Sequence, residues 1–321
     1  MNIHLTNDFK DAITAASEHL QIREAYIERD YWVTYVLNNL SASPFADNVV
    51  FKGGTSLSKV FNCIERFSED IDLAILDVEN LGDSKRKALM KDIENTITLG
   101  LSSIPDHPLT EKRGRNRKTF YQYSNAVEKK NLGPVKDVIQ LEINSFTEPV
   151  PYSKESIDSL IAQYLRKTNR GDLIERFKLY PFKLNVLSME RTFFEKVLSL
   201  TRLSYEVTES LRRKIRHFYD IVKIYNKDKG ILENKNSVNI FKIALNDDRK
   251  NSTFAGEWLT NPLSEAHLYK DFQSTWNGLE NSYNNDLRDL IWVDGMPSTK
   301  EILDLILKIK VFLIMVERGA D

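Results

Sequence analysis

The chain has 321 residues, with 45 Lys and Arg against 46 Asp and Glu, a net charge of −1, 41% hydrophobic residues and 28% charged ones. This length holds one large domain or two modest ones, and the balance is that of an ordinary globular protein with no global pull toward nucleic acid or membrane. One cysteine, Cys63, excludes an intrachain disulfide and a cysteine-based metal cluster.

No basic segment followed by an apolar run opens the chain, and the greasiest stretch, Val311 to Val316, is only six residues long. That is too short to cross a bilayer, so a cytoplasmic protein without a membrane partner is expected. Asp8 to Leu40 reads as two helices, the second carrying Glu28-Arg29-Asp30-Tyr31, to which no chemistry is assigned. Val49 to Lys52 reads as a strand, followed by a Gly53-Gly54 turn and a helix with Leu57, Val60, Phe61 and Ile64 on one apolar stripe. Thr55 or Ser56 is its expected N-cap, and Cys63 is a small packing residue within it. Phe67 to Leu76 reads as a second strand, carrying Asp70-Ile71-Asp72.

Ser84 to Leu101 reads as a helix, and Pro105 and Pro108 mark a loop. Then comes Lys112-Arg-Gly-Arg-Asn-Arg-Lys118, with five positive charges in seven positions. Thr119 to Ser124 and Val138 to Phe146 read as strands of a hairpin-like extension turning at Asn131 to Pro134. Pro149 and Pro151 set a boundary between residues 1–150 and 151–321. Beyond it the chain reads as mainly helical: Lys154 to Lys167, Ser188 to Leu203, Val207 to Tyr225, and a last helix from Thr299 opened by a Ser298/Glu301 capping box.

Asp70 and Asp72 alternate with Ile71 and Leu73, so both carboxylates face one side of their strand. Two adjacent carboxylates repel, and a hard divalent cation such as Mg²⁺ resolves the conflict by binding one or two carboxylates plus substrate phosphates. The Gly-Gly turn lets the backbone approach a phosphate and leads into a helix whose first N–H groups attract anions. The pair suggests a nucleotide-handling site; the alternative is a surface turn and an edge strand with two solvated acids. Glu142, mid-strand between Leu141 and Ile143, is a further site acid or an exposed strand residue. The basic run Lys112, Arg113, Arg115, Arg117 and Lys118 is a guide for a polynucleotide backbone or a solvated loop, with Phe120, Tyr121 and Tyr123 as nearby stacking faces. The five histidines show no metal-ligand spacing, and no Walker-type Gly-Lys-Ser/Thr is present.

Gly-Gly, a helix, then Asp-x-Asp on a strand resembles the DNA polymerase β-like nucleotidyltransferase superfamily. Lys52-Gly-Gly-Thr-Ser-Leu-Ser-Lys59 with Arg66-Phe-Ser-Glu-Asp-Ile-Asp-Leu73 is similar to the AbiEii/AbiGii toxin family, which includes the MenT toxins. The resemblance implies an α+β, bilobed protein: an N-terminal mixed sheet with flanking helices and a mainly helical C-terminal lobe that completes the nucleotide site. It implies metal binding by Asp70 and Asp72 with Glu142, and phosphate binding by Lys52, Gly53, Gly54, Thr55, Ser56 and Lys59. Lys196, in Glu190-Arg-Thr-Phe-Phe-Glu195-Lys196, is implied to contact the nucleotide phosphates; otherwise it pairs locally with Glu195 or Glu190. Asp220 is expected to orient Lys196 or an arginine, the alternative being an intrahelical pair with Arg216. His217 stands where the family pattern calls for an acid. The implied activity is that of a toxin moving NMP from NTP, with Mg²⁺ (or Mn²⁺), to the tRNA 3′ end, restrained by an antitoxin from the neighbouring gene that acts as a repressor. Two rivals are a protein or small-molecule acceptor on the same fold, and a nucleotide-binding module without turnover.

Overall fold

The computed structural model describes residues 2–68, 70–76, 81–128, 137–206, 208–292 and 295–319. Glu69, the expected turn at Asn131 to Pro134 and the helix start at Val207 lie outside them. The chain forms two compact units, neither continuous in sequence. Met1–Asn62, Phe67–Ser145 and Tyr152–Leu187 make the first; Cys63–Arg66, Phe146–Pro151 and Ser188–Asp321 make the second. No helix among the described residues is long and apolar enough to cross a membrane.

The first unit is built on a mixed sheet of β1 (Val49–Lys52), β2 (Asp70–Ile75), β3 (Ser102–Ser103), β4 (Glu111–Lys112), β5 (Asn116–Gln122), β6 (Val138–Asn144), β7 (Tyr152–Ile157) and β8 (Phe182–Leu187). Among the described residues the strand order is β3-β5-β6-β2-β1-β8-β7, with β4 added against β5. β2 runs parallel to β6 and β1 parallel to β8, while the other pairs are antiparallel. Its helices are α1 (Asp8–Leu20), α2 (Glu24–Ser41), α3 (Gly53–Lys59), α4 (Asp83–Ile97), α5 (Leu160–Lys167) and α6 (Gly171–Phe177). α2 packs against α1, α4, α5 and β8 at once, and so is buried on nearly every side, Glu28 and Arg29 included. On the sheet, Ile71, Leu73, Leu141 and Ile143 are fully buried on one face, while Asp70, Asp72, Gln140 and Glu142 alternate with them on the other and stay half-exposed.

Several expectations change here. α3 ends at Lys59, because Asn62 adopts a left-handed φ of 48° and breaks the apolar stripe. Phe61, Cys63 and Ile64 are therefore outside the helix, and Lys52 rather than Thr55 or Ser56 takes the cap position. Lys154 to Lys167 is not one helix but strand β7 and helix α5, and β8 was not anticipated. Since β8 lies between β1 and β7 in the sheet, residues 152–187 belong to the first unit, and the division near 150 moves to 187 with two short excursions.

The second unit is helical: α7 (Met189–Leu203), α8 (Thr208–Arg212), α9 (Ile215–Lys227), α10 (Ser237–Lys250), the short α11 (His267–Lys270), α12 (Phe272–Asn277) and α13 (Glu280–Asn284), and α14 (Thr299–Glu317). α7 packs on α9 and α10, and α14 on α9. Phe194, Phe241 and Phe312, from α7, α10 and α14, meet with ring centroids 5.3–5.6 Å apart. Ser188 caps α7 by accepting the Arg191 N–H at 3.0 Å. Ser298 and Glu301 form the expected capping box of α14.

Candidate active site

In the first unit, strand register decides which charges meet. Lys52 of β1 is opposite Asp72 of β2, Asp72 is beside Glu142 of β6, and Glu142 is opposite Lys118 of β5. Neighbouring strands lie about 4.8 Å apart, so these four residues form one row across the polar face. Asp70 sits on the same face beside Gln140. Three acids are thus gathered from two adjacent strands. Among the described residues no three His, Cys, Asp or Glu side chains already close around a metal position. The oxygen donors on one face nonetheless suit a hard cation, which needs only one or two protein carboxylates when waters and substrate phosphates fill the rest of its shell.

The Gly53-Gly54 turn is fitted to this row. Gly53 has φ +81°, and a Cβ added there would stand 2.1 Å from Asp72 Oδ2. Glycine is needed both for that backbone and for the approach of the turn to the carboxylate. Behind the turn, Thr55 and Ser56 are buried. The Thr55 hydroxyl lies 3.0 Å from Ser68 Oγ and donates to the Asp70 carbonyl, while that of Ser56 donates to the Gly53 carbonyl at 2.9 Å. These two side chains shape the loop and the strand. The Lys59 side chain is only 5% exposed, with its ammonium on Asp30 Oδ1 at 2.5 Å, so its charge is neutralised within the fold rather than offered to phosphates. Asp30 also accepts the Leu160 N–H at 2.7 Å, and Glu28 accepts the N–H groups of Ala126 at 2.5 Å and Val127 at 3.1 Å. The Glu28-Arg29-Asp30-Tyr31 run is therefore an anchor for three separate stretches of the first unit.

The basic run does not stay together. Arg117 turns to the covered face and pairs with Glu94 of α4, so it is lost as a polynucleotide contact. Tyr121 donates to Glu94, and Tyr123 stacks on Trp32 at 5.5 Å. Lys112, Arg113 and Arg115 are exposed at the β4–β5 connection, and Arg113 lies 3.6 Å from Glu111. Lys118 alone of the five faces the carboxylate row.

In the second unit, Asp220 of α9 is fully buried and holds two cations. Arg66 reaches its oxygens at 2.6 and 2.7 Å in a fork, and Lys196 of α7 at 2.8 Å. Burial alone would raise the Asp220 carboxyl, but Arg66 and Lys196 outweigh it and hold it below the ordinary carboxylate range. Lys196 is thus not paired with its own helix neighbours: Glu195 lies 3.4 Å from Arg191, and Glu190 accepts the Ser237 hydroxyl at 2.6 Å. Burial, reinforced by Lys196 and Lys214, pushes the His217 imidazole well below the usual histidine range. A neutral His217 leaves Arg66, Lys196 and Asp220 with one surplus positive charge. Arg66 was not singled out from sequence, because its partner is 154 residues away. Its segment is tied down further by Glu65, which accepts the Tyr219 hydroxyl at 3.2 Å and pairs with Lys223 at 2.7 Å.

Comparison with solved structures returns the nucleotidyltransferase toxin MenT4 from Mycobacterium tuberculosis H37Rv, at 15% identity and a TM-score of 0.42, covering 92% of this chain and 97% of that one. JHP933 from Helicobacter pylori matches at 14% identity and a TM-score of 0.32, covering 82% and 93%. No match to a curated protein sequence was found. Residues 35–304 match the family model described as nucleotidyl transferase AbiEii toxin, type IV TA system. That span takes in the Gly-Gly turn, the carboxylate row and the Asp220 cluster: the chain belongs to the AbiEii family of nucleotidyltransferase toxins of type IV toxin–antitoxin systems.

Proposed function

We propose that the protein is a Mg²⁺-dependent toxin that transfers NMP from an NTP to the 3′ end of tRNA and so blocks translation in the cytoplasm. The observation that carries this reading is the in-register pair Asp72 and Glu142, with Asp70 on the same face and the Gly53 backbone pressed against Asp72. Asp70 and Asp72 would hold the metal ion, Mg²⁺ or Mn²⁺, which would supply neutralisation of the negative charge that develops during transfer. The N–H groups of the Gly53-Gly54 turn and Lys52 face the phosphates that leave as pyrophosphate. Glu142 takes the proton from the acceptor hydroxyl as its oxygen bonds to the α-phosphorus and the bond to pyrophosphate breaks. Lys196, with its charge only partly balanced by Asp220, serves the nucleotide phosphates. The antitoxin acts as a repressor from the neighbouring gene.

The test is incubation with each α-³²P-labelled NTP, bacterial tRNA and Mg²⁺, beside an Asp70→Ala/Asp72→Ala control. Label on tRNA that vanishes in the control is expected and names the nucleotide. Label on protein instead moves the acceptor, and no label with any metal or NTP removes the transferase reading.

A further inference from the structure

The polar face of the sheet has two flanks, and they differ. On one, the Gly53-Gly54 turn and Lys52 adjoin Asp72. On the other, beyond Glu142, strand β5 presents Lys118 and, two residues on, Phe120. Phe120 is buried, and the half-buried His107 ring stacks over it with centroids 3.6 Å apart and planes at 22°. His107 is thus the ring of this stack that solvent reaches. Lys118 has acids on both register neighbours, Glu142 and Glu111, yet its ammonium takes no ion-pair partner among the described residues.

Phosphoryl-group transfer places the attacking and leaving oxygens roughly in line. With pyrophosphate leaving toward the Gly53 turn, the acceptor enters from the opposite flank, over Glu142 and β5. An uncommitted ammonium there selects an anionic acceptor, and a π-stack beside it suits an unstacked base. We propose that Lys118 and the His107–Phe120 stack form the acceptor subsite of this active site, taking one phosphodiester and one base of a single-stranded polynucleotide end. This assignment rests on the nucleotidyl-transfer reading for its direction of attack. It separates Lys118 from the rest of the basic run.

Binding of a fluorescent single-stranded RNA of about eight nucleotides, within the usual span of such sites, is to be followed by anisotropy at several salt concentrations. Lys118→Ala is expected to weaken binding about tenfold and to lower the slope of log K against log salt by about 0.7, the value for one phosphate contact on a single strand. Lys118→Arg restores both. His107→Ala is expected to weaken binding about tenfold without changing the slope. Binding by both alanine variants at the wild-type level, with native melting profiles, overturns the subsite. So does a Lys118→Ala defect that falls on the KM for NTP instead of the KM for the acceptor. Residue-dependent RNA binding by a wild-type protein that transfers no nucleotide keeps the subsite and removes the transfer reading. Transfer to tRNA at an unchanged acceptor KM in both variants does the reverse.

Discussion

The two charge clusters of this protein are opposites. The row on the sheet gathers Asp70, Asp72 and Glu142 against Lys52 and Lys118, on a half-exposed face, with an acid surplus. The cluster in the helical unit gathers Arg66 and Lys196 against Asp220 in a buried setting, with a base surplus. The first surplus has the sign that draws a cation, the second the sign that draws an anion. Only the second also holds its unit together, because burying a charge is costly unless it is paired.

The comparison breaks most sharply on the acids themselves. Asp70→Ala/Asp72→Ala is expected to lower nucleotidyl transfer by about 10³-fold or more, since electrostatic stabilisation of this kind is worth at least about 10²-fold per group. Its melting temperature should stay level or rise, because mutual repulsion is removed. Asp220→Asn has the opposite signature: two buried cations lose their counter-charge, and urea unfolding should report a loss of about 3–5 kcal/mol. A stability loss in the row variant, or none in the Asp220 variant, removes the distinction.

Gly53→Ala sharpens the first half. Its Cβ meets Asp72 and its φ is left-handed, so a stability loss of about 1–3 kcal/mol is expected together with an activity loss beyond what that instability explains. Comparing activity at equal folded fraction checks it.

His217 sharpens the second half at the smallest scale. Its folded-state pKa is depressed, so below about pH 6.5 the unfolded chain binds the proton first, and stability falls with acid by up to about 1.4 kcal/mol per pH unit. His217→Gln should flatten the stability profile between pH 6.5 and 5. The depressed Asp220 carboxyl adds its own loss only at lower pH, starting near the ordinary carboxylate range of about 4. A wild-type profile that is flat across both windows contradicts the buried neutral imidazole.

The carboxylate row was legible because alternation is a local property. Asp70-Ile71-Asp72-Leu73 and Gln140-Leu141-Glu142-Ile143 state their faces in the letters themselves. The cap of α14 was legible for the same reason. What failed depends on where the chain goes next. The stripe Leu57, Val60, Phe61 and Ile64 has helical spacing, yet the chain leaves the helix at Lys59 and Cys63–Arg66 belong to the other unit. β7 is a sheet-edge strand, exposed along most of Tyr152–Ile157, so it carries no apolar alternation to read. Arg117 and Lys118 look equivalent in a basic run, but one register step sends the first to Glu94 and the second to Glu142. Lys59 resembles a phosphate ligand until Asp30 is found against it.

The fork between Arg66 and Asp220 joins residues 154 positions apart, and that separation is also an interval of time. At a ribosomal rate of roughly 5–20 residues per second, Arg66 is synthesised about 8–30 s before its counter-charge exists. For that interval the segment carrying it gains nothing from leaving water. The helical unit therefore closes late in synthesis, and a chain stopped before α9 keeps an arginine that has nowhere to be buried.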